Sequence, residues 1–169
     1  MNSESLTNPL AKVRLVAFDL DGVFTDGRFY LSDDGVESKS FCTQDGFGIR
    51  QLLKGGIEVA VISGRKSAAV ERRMSELGVR HVILGCGDKT AAFDSLTDEL
   101  GIGVEEAAFV GDDIPDLPLL SKVGYSFAVA NAVSAVREYC DYTTKASGGN
   151  GAVREVCELV LAAHGEEHS

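Results

Sequence analysis

Residues 15–22 read Leu-Val-Ala-Phe-Asp-Leu-Asp-Gly, an apolar run that ends in two aspartates one residue apart and then a glycine. A short continuous apolar run followed by turn-forming residues is the pattern of a strand buried on both faces. Side chains alternate along a strand, so Asp19 and Asp21 leave its end on the same side. Carboxylates that close repel each other unless a cation or a shared proton lies between them. A plain strand-capping turn has the same residues, since Asp and Gly are ordinary turn formers. The rest of the chain decides between the two.

Working outward, further strand-like runs occur at residues 59–62, 82–84, 108–110 and 127–129. Amphipathic helical spacings lie between and after them: Val70, Met74 and Leu77, then Phe93, Leu96 and Leu100, and last Val153, Val156, Cys157, Val160 and Leu161. Apolar strands alternating with helices give an α/β fold, a Rossmann-like three-layer arrangement around a central parallel sheet. One segment breaks the alternation: residues 28–31 and 36–41 flank Ser32-Asp33-Asp34-Gly35, the signature of a β-hairpin inserted after the first strand.

The chain has 169 residues, 44% of them apolar and 25% charged, which is an ordinary composition for one globular domain. Residues 1–12 read as a frayed polar leader and residues 13–169 as the domain, with no signal peptide and no membrane span. The net charge of −10 argues against nucleic-acid binding, which needs basic surface. The widely spaced Cys42, Cys86, Cys140 and Cys157 lack a zinc pattern and read as reduced thiols of a cytoplasmic protein.

Ligand sites of parallel sheets form beyond the carboxyl ends of the strands. Four polar features stand there: Asp19 and Asp21, then Ser63-Gly64-Arg65, then Lys89, then Gly111-Asp112-Asp113-Ile114-Pro115-Asp116. Singly each has a plain reading: Ser63 as a helix cap, Lys89 as a solvated helix start, the last cluster as a helix cap. Together they bring carboxylates, a hydroxyl and a cation to one edge.

This set and order resemble the haloacid dehalogenase-like hydrolases, most of which are phosphatases. The resemblance implies that Asp19 attacks phosphorus, that Asp21 acts as acid and base, and that Ser63 and Lys89 hold the phosphoryl oxygens. It further implies Mg2+ held by Asp19, the Asp21 backbone carbonyl and Asp112, with Asp113 and Asp116 orienting Lys89 or metal-bound water. Only residues 22–62 separate the first two motifs, which leaves no room for a cap domain.

Longer strings narrow the resemblance. Asp19-Leu-Asp-Gly-Val-Phe-Thr-Asp-Gly, Gln44-Asp-Gly-Phe-Gly-Ile, Ile62-Ser-Gly-Arg-Lys and Gly148-Gly-Asn-Gly-Ala-Val-Arg-Glu are similar to a capless subfamily, the 3-deoxy-D-manno-octulosonate 8-phosphate phosphatases. The implied reaction releases the free sugar acid for lipopolysaccharide synthesis. The implied assembly is a homotetramer built through the hairpin, whose neighbours complete each open site. Substrate contacts carried over from the family fall on Asp21, Cys42, Thr43, Gln44, Asp45, Gly46, Arg50, Arg65, Arg73 and Lys89, the guanidiniums suiting a carboxylate. One departure stands out: Asn150 occupies the place where the family has arginine. A phosphatase of a nine-carbon sugar acid 9-phosphate is therefore the alternative. From a different class, a receiver-like signalling domain would use similar residues and keep its phosphoryl group.

Overall fold

The computed structural model describes residues 8–166; residues 1–7 of the expected leader lie outside them. Six parallel strands form the central sheet in the order β5-β4-β1-β6-β7-β8. They are β1 (Leu15–Phe18), β4 (Glu58–Ser63), β5 (His81–Leu84), β6 (Ala107–Gly111), β7 (Tyr125–Ala128) and β8 (Tyr142–Thr143). A separate antiparallel pair, β2 (Tyr30–Leu31) and β3 (Glu37–Ser38), is the hairpin expected after the first strand. No cap domain interrupts the described residues.

β1 sits in the middle because every one of its residues is buried and apolar. Phe18 lies opposite Val61 of β4 and Val110 of β6, so the residues after β1 emerge beside the last residues of those two strands. The connections run outward from β1 in both directions, which is the topological switch point where such sheets open a crevice.

The helices are α1 (Thr43–Lys54), α2 (Ala68–Leu77), α3 (Lys89–Leu100), the single turn α4 (Leu117–Leu120), α5 (Ser134–Tyr139) and α6 (Ala152–Glu166). α1 packs against α6 and α2, and α3 packs against α4. Right-handed crossovers in opposite directions from β1 put these two groups on opposite faces of the sheet. Two helix starts are fixed by their caps. Ser67 Oγ accepts the Val70 N–H at 3.4 Å, and Asp88 Oδ1 accepts the Ala91 N–H at 3.1 Å.

Residues 9–12, expected to be frayed, are structured. Pro9–Lys12 forms a 3-10 turn capped by Asn8, and both Leu10 and Ala11 are buried. This turn packs against α6, whose His164 Nε2 donates to the Val13 carbonyl at 2.8 Å. Burial of Leu10 and Ala11 offsets part of the chain entropy that ordering this segment costs.

The hairpin turn closes with the Gly35 N–H donating to the Ser32 carbonyl at 2.9 Å. Its apolar side chains do not return to the core: Tyr30 is 71% exposed, Leu31 65% and Val36 62%. An apolar ribbon left in water marks a surface that another chain can cover. All four cysteines are free thiols, and no helix among the described residues is long and apolar enough to cross a membrane.

Candidate active site

Asp19 is the first residue beyond β1, and its backbone N–H donates to the Val110 carbonyl of β6 at 2.9 Å. The main chain is thus fixed before the side chain does anything. The following loop is tightly held. Leu20 O accepts from Val23, Phe24 and Thr25, while Thr25 Oγ1 accepts the N–H groups of Gly22 and Gly27.

A late part of the chain clamps this loop from outside. Asn131 Nδ2 donates to the Gly22 carbonyl at 3.0 Å, and Asn131 Oδ1 accepts the Gly148 N–H at 2.7 Å. The Gly149 N–H donates to Val23 O at 3.2 Å. The approach tolerates no side chain: a Cβ on Gly148 would lie 1.8 Å from Gly22 O. Gly22 itself has φ +85°, and a Cβ there would lie 2.0 Å from Asp112 Oδ2.

A cleft of about 350 Å³ opens at this edge, lined by Asp19, Asp21, Ser63, Arg65, Lys89 and the Asp112–Asp116 loop. The strand-end residues expected to meet do so. A larger depression of about 560 Å³ near Glu71, Ser75 and Arg80 holds no comparable cluster. Lys89 Nζ donates to Asp19 Oδ1 and to Asp116 Oδ1, both at 2.8 Å. Asp116 is buried, and its other oxygen accepts the N–H groups of Asp112 and Asp113 at 3.0 and 3.4 Å. Asp113 instead turns to its own helix end, accepting the Ile114 N–H at 2.7 Å. Ser63 is buried at the end of β4 and accepts the Arg65 N–H at 3.3 Å.

Carboxylate oxygens of Asp19, Asp112 and Asp116 all fall within 4.8 Å of one another. Burial, followed by the charge of Asp116, pushes Asp19 up to about 6 against the pull of Lys89. Burial and then the charge of Asp19 push Asp112 up to about 8. Burial draws Lys89 down, but Asp19 and Asp116 more than offset it, so its pKa is raised and it stays cationic. One ammonium is too little positive charge for three carboxylates, and a hard divalent cation fits the deficit.

The two opening aspartates face one cleft but hold different partners. Asp19 is bound by Lys89, whereas Asp21 Oδ1 accepts Lys39 Nζ at 2.6 Å. Arg65 lines the cleft, pairs with Glu37 Oε2 at 2.6 Å and stacks on the Phe29 ring at 4.3 Å.

The other expected substrate residues do not reach this cleft. Cys42 precedes α1; Thr43, Gln44, Asp45 and Gly46 form its first turn; Arg50 lies further along it, and Arg73 belongs to α2. Arg50 donates to the Glu76 carbonyl at 3.2 Å and Arg73 pairs with the Glu76 carboxylate at 3.5 Å. Asp45 is corrected outright as a substrate contact. It is buried and its Oδ1 accepts the Arg154 N–H at 2.9 Å, capping the start of α6.

Lys39, Asn131 and Thr25 were not singled out by the sequence. Glu37 and Lys39 carried a usable signal, since an i, i+2 pair on the returning hairpin strand shares one face. Asn131 gave none, because its partners are set by tertiary closure.

A central parallel strand ending in Asp19-Leu-Asp, met by Ser63, Lys89 and an acidic loop, defines a haloacid dehalogenase-like hydrolase. The sequence profile of that description matches residues 81–156. The 3-deoxy-D-manno-octulosonate 8-phosphate phosphatase KdsC of Escherichia coli is 47% identical over 154 residues, 91% of this chain and 82% of the relative. The same phosphatase from Moraxella catarrhalis, solved with magnesium ion, phosphate ion and KDO, superposes with a TM-score of 0.92 at 42% identity, over 98% of this chain and 95% of that one. A cobalt-bound form from Haemophilus influenzae gives a TM-score of 0.90 at 39% identity, over 94% and 92% of the two chains. The chain belongs to the family of 3-deoxy-D-manno-octulosonate 8-phosphate phosphatases.

Proposed function

We propose that this protein hydrolyses 3-deoxy-D-manno-octulosonate 8-phosphate to the sugar acid and inorganic phosphate, in the cytoplasm and as a step of lipopolysaccharide synthesis. The observation that carries the chemistry is Lys89 at 2.8 Å from both Asp19 and Asp116 beside Asp112, in a cleft that also holds Asp21 and Ser63. The family membership carries the substrate. Four free thiols fit a reducing compartment.

Asp19 Oδ attacks phosphorus, and the bond from phosphorus to the sugar oxygen breaks. The electron pair goes to that oxygen, which takes a proton from Asp21. In the second displacement Asp21 takes a proton from water as its oxygen attacks phosphorus, and the bond to Asp19 breaks. Lys89 and Ser63 hold the equatorial oxygens, and Asp116 keeps Lys89 in place. Bound at Asp19, Asp112 and the Asp21 carbonyl, Mg2+ would neutralise charge between the carboxylates and the phosphate.

Arg65 is the cation that the chain offers its own cleft for the sugar-acid carboxylate. Cys42, Thr43, Gln44, Arg50 and Arg73 lie outside this cleft and are at least partly exposed, so their contribution is to the cleft of a neighbour. The exposed Tyr30, Leu31 and Val36 supply the contact between subunits of a homotetramer.

The test is kcat/KM with Mg2+ on eight- and nine-carbon sugar acid phosphates, for wild type and Asp19→Asn. A preference for the eight-carbon ester, lost in Asp19→Asn, is expected. Preference for the nine-carbon ester would reassign the substrate, and Asn150 in place of arginine would then be the first residue to exchange. A single stoichiometric phosphorylation without release of phosphate would refute hydrolysis.

A further inference from the structure

The Lys39 side chain is wholly buried, an unusual state for a lysine, and its Nζ lies 2.6 Å from Asp21 Oδ1. Asp21 itself is 26% exposed at the cleft. Lys39 is held in turn by Glu37, whose Oε1 is 3.4 Å from Nζ. Glu37 Oε2 is bound by Arg65. Each of the two aspartates beyond β1 therefore has its own lysine, Lys89 for Asp19 and Lys39 for Asp21. The first pair is built into α3. The second reaches in from the residue that follows the hairpin strand β3.

We propose that Lys39 is a positioning residue for Asp21, and that it ties the root of the hairpin to proton transfer. This rests on Asp21 being the acid and base of the hydrolysis proposed above. A partly exposed carboxylate on a two-bond side chain can rotate unless it is held, and a misplaced acid donates poorly. A charge-assisted bond to one oxygen fixes the carboxyl plane and leaves the other oxygen to exchange the proton with the leaving alcohol. Burial of Lys39 keeps water from competing for that bond.

Positioning of an acid has a kinetic signature that a structural role or a phosphate contact lacks: its value depends on the leaving group. We would measure kcat/KM with Mg2+ on p-nitrophenyl phosphate, phenyl phosphate and a simple alkyl phosphate, none of which carries a carboxylate. The variants are Lys39→Met, Lys39→Arg and Asp21→Asn. In kcat/KM the first displacement is read alone, so water attack does not mask it. Lys39→Met should lose little on the p-nitrophenyl ester, whose leaving group needs no proton. It should lose on the order of 10²-fold more on the alkyl ester. Lys39→Arg, which keeps the charge and the donors, should fall between, and it carries the comparison if Lys39→Met does not fold. A uniform loss across the series with a steep Asp21→Asn series overturns the role of Lys39 alone. A flat Asp21→Asn series overturns the acid assignment, and Lys39 falls with it.

Discussion

Lys89 Nζ is shared between Asp116 Oδ1 and Asp19 Oδ1 at equal distances of 2.8 Å. Asp116 thereby does two jobs, since its other oxygen fixes the N–H groups of Asp112 and Asp113. The jobs separate by substitution. Asp116→Asn keeps acceptors for the backbone but removes the charge facing Lys89, so kcat should fall about tenfold with little change in Tm. Asp116→Ala also leaves two partly buried N–H donors without their acceptor, at about 1 kcal/mol. That corresponds to a Tm lower by several degrees, read by calorimetry.

The acidic cluster makes the metal-free protein sensitive to pH. Asp19 and Asp112 are raised from 3.8 to about 6 and about 8 in the folded state, so the folded chain binds more protons than the unfolded one in between. Stability of the metal-free form is then greatest at the acid end of that window and falls as pH rises through it. Mg2+ opposes the loss by replacing the protons. The Tm increase on adding Mg2+ should grow from pH 5 to pH 8 on the order of several degrees, measured by thermal melts with and without a chelator. An increase independent of pH would place the metal elsewhere.

Asp45 acts on stability and not on substrate. Its Oδ1 caps α6 at the Arg154 N–H, while its Oδ2 has no hydrogen-bond partner. Asp45→Ala should destabilise by about 1–2 kcal/mol in urea unfolding. In the surviving folded protein, kcat/KM on p-nitrophenyl phosphate should stay within about twofold of wild type, because a cap substitution leaves transition-state contacts intact.

The hairpin can be tested without touching the fold. Leu31→Asp with Val36→Asp places two charges on side chains that already stand in water. The chain should fold and elute as a smaller species by light scattering. Its kcat/KM on the sugar acid phosphate should drop on the order of tenfold or more, whereas p-nitrophenyl phosphate should be far less affected, since only the larger substrate needs a neighbour's contacts.

The parallel sheet was readable because its strands are short, apolar and separated by amphipathic helices. Residues 59–62, 82–84 and 108–110 each lie within one residue of β4, β5 and β6 at either end. β7 starts two residues before the expected 127 because Ser126 hides in the strand, its Oγ donating to Asp141 at 2.9 Å. β8 has two half-buried residues and pairs only with β7, too little for any periodicity. The Asp19, Ser63, Lys89 and Asp112 group was legible from its place at the strand ends. Asn131 was not, because its partners Gly22 and Gly148 stand 109 and 17 positions away. The burial of Asp45 was not legible for a related reason, as sequence order does not say which face of α1 meets α6.

The Asn131 and Gly148–Gly149 clamp on the loop beyond β1 also bears on how the protein is made. Both opening aspartates leave the ribosome early, but the backbone that aims them is locked by residues more than a hundred positions later. A nascent chain stopped before Gly148 has its nucleophile and no rigid cradle for it. Contacts this distant in sequence form late in folding. Phosphatase activity should therefore appear only once synthesis has passed Gly149.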